Sequence, residues 1–197
     1  DSDSQAFKLL DTNNRILALR TEMTTPIARV TATRLKEMLL PIRLFYITNV
    51  FRYEQAQAGR QCEFYQAGVE LIGASESEAD AEVIALAIAA MREAGLNKFK
   101  ISLGQVDFIN GIMCESGLND VQQEKVKSAI LQRDLVGLET FLAGSGLSKT
   151  AQEFVGSIPL LHGDDVLNSA FKMASNDLSR SALNNLSTIV DVLHKYE

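Results

Sequence analysis

The order of apolar and polar positions divides the chain into a front part of mixed periods and a back part of helical period. In AFKLLDTNNRILALR two apolar runs flank Asp11-Thr12-Asn13-Asn14, a cluster with the composition of a hairpin turn. Thr25-Pro26 then offers an N-cap and a proline at the first helical position. The following IARVTATRLKEML has helical spacing to about Leu40, where Pro41 stops it. Residues 42–54 and 62–72 alternate with a period of two, which predicts two strands joined by a polar loop containing Gly59. A helix is expected from Ser75 to Ala94: Ser75 and Glu78 have capping-box spacing, and Gly95 is placed to end it. Phe99, Ile101 and Leu103 alternate as a short strand.

Past residue 110 no strand pattern returns. Amphipathic helices are expected over 119–133, 134–143, 148–156, 164–174 and 179–195, with Gly144-Ser145-Gly146 as punctuation and Leu183, Leu186, Val190 and Leu193 forming an apolar seam in the last. The pattern therefore predicts an α+β portion over 1–110 and a mainly helical portion over 111–197.

One face of each central strand is unusually polar. Side chains two residues apart share a face, so Arg52 points with Glu54, and Phe64 with Gln66, Gly68 and Glu70. The other face of the second strand, Tyr65, Ala67, Val69 and Leu71, suits a covering helix. Paired as an antiparallel hairpin, the strands would surround one patch with a cation, polar and acidic groups and a ring, with space at Gly68. Such a patch fits a zwitterionic small molecule. A carboxylate pairs with an ammonium, an amide donates and accepts, and a guanidinium grips a carboxylate or phosphate bidentately. An exposed sheet face accounts for the same alternation, and periodicity does not choose between the two. Glu22 and Thr24 precede the first helix; there, a carboxylate near a helix start and a capping threonine are each favourable without any ligand. Arg29 and Arg34 read as solvated helix residues.

Composition narrows the function classes. A chain of 197 residues, 46% hydrophobic, can bury a core. Its net charge of −6 argues against a broad phosphate-binding surface but leaves room for a local basic patch. No apolar run approaches the roughly 20 residues of a membrane span. DSDSQAF has neither the basic start nor the apolar stretch of a signal peptide. Cys62 and Cys114 lie far apart without metal spacing, as in a reduced, cytoplasmic protein. Cys62 lies near Arg60, but a bystander thiol is the simpler reading. His162 and His194 have no partners at ligand spacing, so no metal is expected. P-loop, GxGxxG and GxSxG patterns do not occur.

FRYE, a loop and then RQCEF resemble motif 2 of the class II aminoacyl-tRNA synthetases, whose usual form is FR-x-E, a variable loop and R-x-x-x-F. The continuation YQAGVELIG is similar to the Gln-x-Gly-x-Glu strand of the histidyl-tRNA synthetase branch, and LRTEMTTPIAR stands where that branch has its LR-P-E-x-T segment. Within the branch, LALRTEMTTPIARVTATRL, NVFRYE with EFYQAGVELIG, and IPLLHGDDVLNSA resemble the regulatory-subunit family of ATP phosphoribosyltransferase, a paralogue of the synthetase without its catalysis. The resemblance is sharp in the front third and looser past about residue 110. It implies a class II synthetase-like antiparallel sheet flanked by helices, incomplete here, followed by a helical insertion-like portion.

Carried over by position, the resemblance implies histidine as ligand. Glu22 and Thr24 would contact its ammonium, Gln66 and Glu70 would complete that side, and Arg52 would sit at the carboxylate. Glu54, Arg60 and Phe64 would be a vestigial nucleotide side, with Phe64 at the place of adenine stacking. No catalytic residue and no cofactor are implied. The implied partner is the catalytic ATP phosphoribosyltransferase subunit, in a hetero-oligomeric complex containing several copies of this chain, without membrane or tRNA. The implied role is support of that subunit's activity and relay of histidine feedback at the first step of histidine biosynthesis. The alternative is a catalytic core fragment of histidyl-tRNA synthetase, an ATP-dependent ligase; a third possibility is a structural fragment with an incomplete site. Departures bear on the choice. Cys62 stands where synthetases often place a second arginine, and motif 1, the RGLDYY-like segment, motif 3 and an anticodon-binding domain are not found, so the resemblance implies a fragment.

Overall fold

The computed structural model describes residues 5–53, 61–161, 163 and 165–196. These fall in two compact units, Asp1–Ala79 and Asp80–Glu197. The architecture is α+β, with small antiparallel sheets and helices along the chain.

The front unit opens with the expected hairpin. Strands β1 (Lys8–Leu10) and β2 (Ile16–Ala18) pair antiparallel, with Leu9 opposite Leu17. Asp11 makes the turn: one carboxylate oxygen accepts from Asn13 N at 2.7 Å and Arg15 N at 2.9 Å, and the other pairs with Arg15 Nε at 2.7 Å. Asn14 takes φ +57°, a conformation asparagine tolerates better than most residues.

Helix α1 spans Thr24–Arg34, starting earlier and ending sooner than expected. Its N-cap is Met23 rather than Thr25, and Pro26 falls in the third helical position. Thr25 N is satisfied by the Glu22 carboxylate, both oxygens lying at 3.1 Å, so a side chain three residues upstream replaces the local cap.

Strands β3 (Ile42–Phe51) and β4 (Glu63–Ile72) form the central antiparallel pair, in a register running from Ile42 opposite Ile72 to Phe51 opposite Glu63. Backbone bonds tie the first hairpin to the end of β3: Phe51 N donates to Arg20 O at 2.9 Å, and Tyr53 N to Gln5 O at 2.8 Å. The apolar face expected to carry a covering helix is open at Phe45 (78% exposed), Ile47 (71%) and Tyr65 (78%).

Helix α2 spans Ser77–Glu93, beginning two residues after the expected cap. Gly95 ends it at φ +89°, with Leu96 N donating to Met91 O and Gly95 N to Arg92 O, the paired bonds of a Schellman turn. Residues 99–103 are not a strand. Alternation marks a segment able to join a sheet, but a strand needs an edge to bond, and no described strand pairs with this one.

The second unit is helical: α3 (Val106–Glu115), α4 (Asp120–Gln132), α5 (Leu135–Ala143), α6 (Lys149–Ser157), a 3-10 turn (Ile158–Leu160), α7 (Val166–Met173) and α8 (Asp177–Leu193). Helix α3 had no counterpart in the expected elements. Side-chain caps set several starts. Asn119 and Gln122 form a reciprocal capping box on α4, Asp134 accepts from Gly137 N at 2.8 Å on α5, and Ser148 from Ala151 N at 3.2 Å on α6. The core joins Phe108, Ile112 and Met113 of α3 to Val126, Leu138, Leu142, Val155 and Leu183. At the closest approach of α3 and α8, Asn176 Nδ2 donates to Gly111 O at 2.8 Å, while Asn176 Oδ1 accepts from Ser179 N and the buried Ser179 hydroxyl.

Candidate ligand-binding site

The register of β3 and β4 fixes the composition of the polar face. Leu44 lies opposite Glu70, Tyr46 opposite Gly68, Thr48 opposite Gln66 and Val50 opposite Phe64. Residues two apart share a face, so these eight side-chain positions line one side of the sheet. Tyr46, Thr48, Phe64, Gln66 and Glu70 are partly buried and Val50 is fully buried, while Phe45, Ile47, Tyr65 and Ala67 of the other face are exposed.

The segment before α1 is tied to this face. Arg52 Nε donates to Thr21 O at 2.9 Å. Arg20 Nε donates to Asn49 O at 2.7 Å, and its Nη2 bonds Thr48 Oγ1 at 3.1 Å and the Asn49 side-chain oxygen. Thr24 Oγ1 donates to Glu70 Oε1 at 2.7 Å. Two candidates 46 residues apart in sequence are thus in direct contact.

Glu22 serves the helix start, and its carboxyl is held below its ordinary range. The Thr25 side-chain hydrogen bond is the largest cause, partly opposed by burial and supported by the backbone of Thr25 and Thr24. Gln66 Oε1 is buried, with no hydrogen-bond partner among the described residues. The Arg52 guanidinium lies over the Phe64 ring, 5.2 Å from its centroid. The ring assigned to adenine stacking by resemblance therefore packs against Arg52. Glu54 and Arg60, the other candidates on that side, and His162 lie outside the described residues.

Tyr46 belongs to the same face and was not among the candidates. Burial pushes its phenol up from the usual value, the negative charges of Glu70 and Glu22 add to the rise, and Arg52 opposes it. On and around the face stand two carboxylates, a phenol, the hydroxyls of Thr24 and Thr48, a buried amide oxygen and the guanidinium groups of Arg20 and Arg52. Groups of these kinds pair with cationic and with anionic partners. Counting back by twos from Arg52 reaches Tyr46, so the strand period contained the signal, but only the register with Gly68 gives it a meaning. Among the described residues no group of three His, Cys, Asp or Glu is placed to hold a metal, and no helix is long and apolar enough to cross a membrane.

A β-hairpin of motif 2 type, with a helix start tied to its polar face, is the arrangement of the class II aminoacyl-tRNA synthetase-like fold. The family model described as histidyl-tRNA synthetase matches residues 1–197, and the chain belongs to that family. It is 44% identical over 191 residues to an ATP phosphoribosyltransferase regulatory subunit of Acetivibrio thermocellus, covering 96% of this chain and 46% of that protein. A regulatory subunit of the same name from Ruminiclostridium cellulolyticum is 40% identical over 190 residues, covering 96% and 45%. A crystal structure of an ATP phosphoribosyltransferase regulatory subunit/histidyl-tRNA synthetase from Bacillus halodurans matches with a TM-score of 0.93 at 34% identity, covering 98% of this chain and 50% of that one. The resemblance to regulatory subunits read from LALRTEMTTPIARVTATRL, NVFRYE with EFYQAGVELIG, and IPLLHGDDVLNSA is thus found across most of the chain, which spans about half the length of these relatives.

Proposed function

We propose that the chain is the histidine-sensing portion of a non-catalytic regulatory subunit of ATP phosphoribosyltransferase. Its partner would be the catalytic subunit of that enzyme, and its ligand histidine. The observation that supports the ligand reading is the Thr24–Glu70 hydrogen bond, which joins two of the residues proposed for the ammonium. Glu22, Thr24 and Glu70 take the ammonium, Gln66 accepts through its buried oxygen, and Arg52 meets the carboxylate. The names of relatives at 40–44% identity favour the regulatory role over the synthetase core. The packing of Phe64 on Arg52 accords with the same choice, because it gives that ring a partner within the chain.

Calorimetry tests the ligand. Histidine is expected to bind the chain in the length its gene encodes, and Glu70→Ala to weaken binding by about tenfold or more, the loss of a charge-assisted hydrogen bond. Binding unchanged by Glu70→Ala would remove the assignment of the site. Measurable ATP–pyrophosphate exchange that disappears in Arg52→Ala would replace the regulatory role with the synthetase one.

A further inference from the structure

Tyr46 is held in an unusual place. It lies directly opposite Gly68 across the hairpin, and a Cβ at position 68 would fall within 2.7 Å of Tyr46 Cε1 and nearer still to the end of the ring. Atoms do not approach that closely, so only glycine lets the phenol lie across β4. The vacancy at Gly68 is therefore filled by Tyr46. Glu70 is the next residue on the same face of β4, and Thr24 Oγ1 donates to Glu70 Oε1 at 2.7 Å. The phenol end is thus brought toward the groups that would take an ammonium.

An ammonium carries three N–H donors and needs three acceptors in separate directions. Of the groups proposed for it, Glu22 already accepts Thr25 N on both carboxylate oxygens and acts chiefly through its charge, while Glu70 and Thr24 Oγ1, whose proton goes to Glu70, keep lone pairs for direct contact. We infer that the Tyr46 hydroxyl is a further direct acceptor for the ligand's ammonium beside them, positioned there by Gly68. This rests on the reading of the face as an amino-acid site and adds a residue to it. Burial, and after it the charges of Glu70 and Glu22, shift the phenol further from ionisation. A neutral phenol accepts from the ammonium through its oxygen. The site thereby gains an acceptor without a third negative charge.

The test compares histidine with imidazolepropionate, which has the same ring and carboxylate but no ammonium, on the wild-type chain, Tyr46→Phe and Gly68→Ala. Tyr46→Phe is expected to weaken histidine binding about tenfold, to leave imidazolepropionate unchanged in direct or competition calorimetry, and to keep the ligand-free thermal midpoint. Gly68→Ala displaces the whole ring and is expected to weaken both ligands. Equal losses for both ligands in Tyr46→Phe would make Tyr46 a packing residue and overturn the inference. So would no loss for histidine, while the amino-acid site itself stood. A folded wild-type chain that binds neither ligand would remove the site and this inference together.

Discussion

Gln66 Oε1 is a buried acceptor without a described partner, in a site whose other groups are largely engaged. Leaving such an atom unpaired costs about 1–3 kcal/mol, whereas an apolar replacement of similar shape escapes that cost. Gln66→Met is therefore expected to stabilise the ligand-free chain by about 1 kcal/mol in chemical denaturation and to abolish histidine binding. A loss of stability would mean that the amide is held by groups other than a ligand. At this scale a motif in the sequence joins distant residues: LRTEMTTP and YQAGVE hold Glu22, Thr24, Gln66 and Glu70, and the structure bonds Thr24 to Glu70. The sequence was uninformative where meaning lies across the hairpin. Tyr46 reads as one more aromatic in a strand until Gly68 is set opposite it. Thr25-Pro26 reads as a cap because that signal is local, but Glu22 performs the capping and the helix starts at Thr24.

Elements whose ends are written in side chains were the legible ones. Asn119 with Gln122, Asp134, Ser148 and Asn176 each accept from a backbone N–H within their own first turn, so the starts of α4, α5, α6 and α8 fall close to the expected positions. Helix α3 was missed because VDFINGIMCE follows a segment of strand-like alternation and carries few polar residues to reveal a period. The same alternation over 99–103 suggested a strand where no described partner exists. Contact between α3 and α8 rests on the smallest side chain available. A Cβ on Gly111 would lie 2.8 Å from Asn176 Oδ1 and from Ser179 N, which belong to the α8 cap. Gly111→Ala is thus expected to destabilise the helical unit by about 1–3 kcal/mol despite its better helix propensity. Urea denaturation measures it, and a gain in stability would show that the two helices have room to separate.

For the whole molecule, histidine feedback is a statement about two assembly states. A ligand with equal affinity for both moves neither, however tightly Glu70 and its neighbours hold it. If histidine bound by this chain weakens its association with the active state of a catalytic subunit, linkage requires that state to lower histidine affinity by the same factor. That factor is expected to be about 5–150-fold, the ordinary range of coupling between sites. The acidic balance of the chain, −6 in net charge, does not supply such coupling, because a diffuse field acts on both states alike. It must come from contacts that differ between states, and the tie of Thr24 at the start of α1 to Glu70 on β4 joins two elements at the proposed site. Calorimetry of histidine, with and without saturating catalytic subunit and its substrates, measures the factor directly. Thr24→Val is expected to reduce it, since the tie is lost. Equal histidine affinity in both conditions would end the feedback reading even if the two proteins assemble, and would leave histidine as a structural ligand of this face.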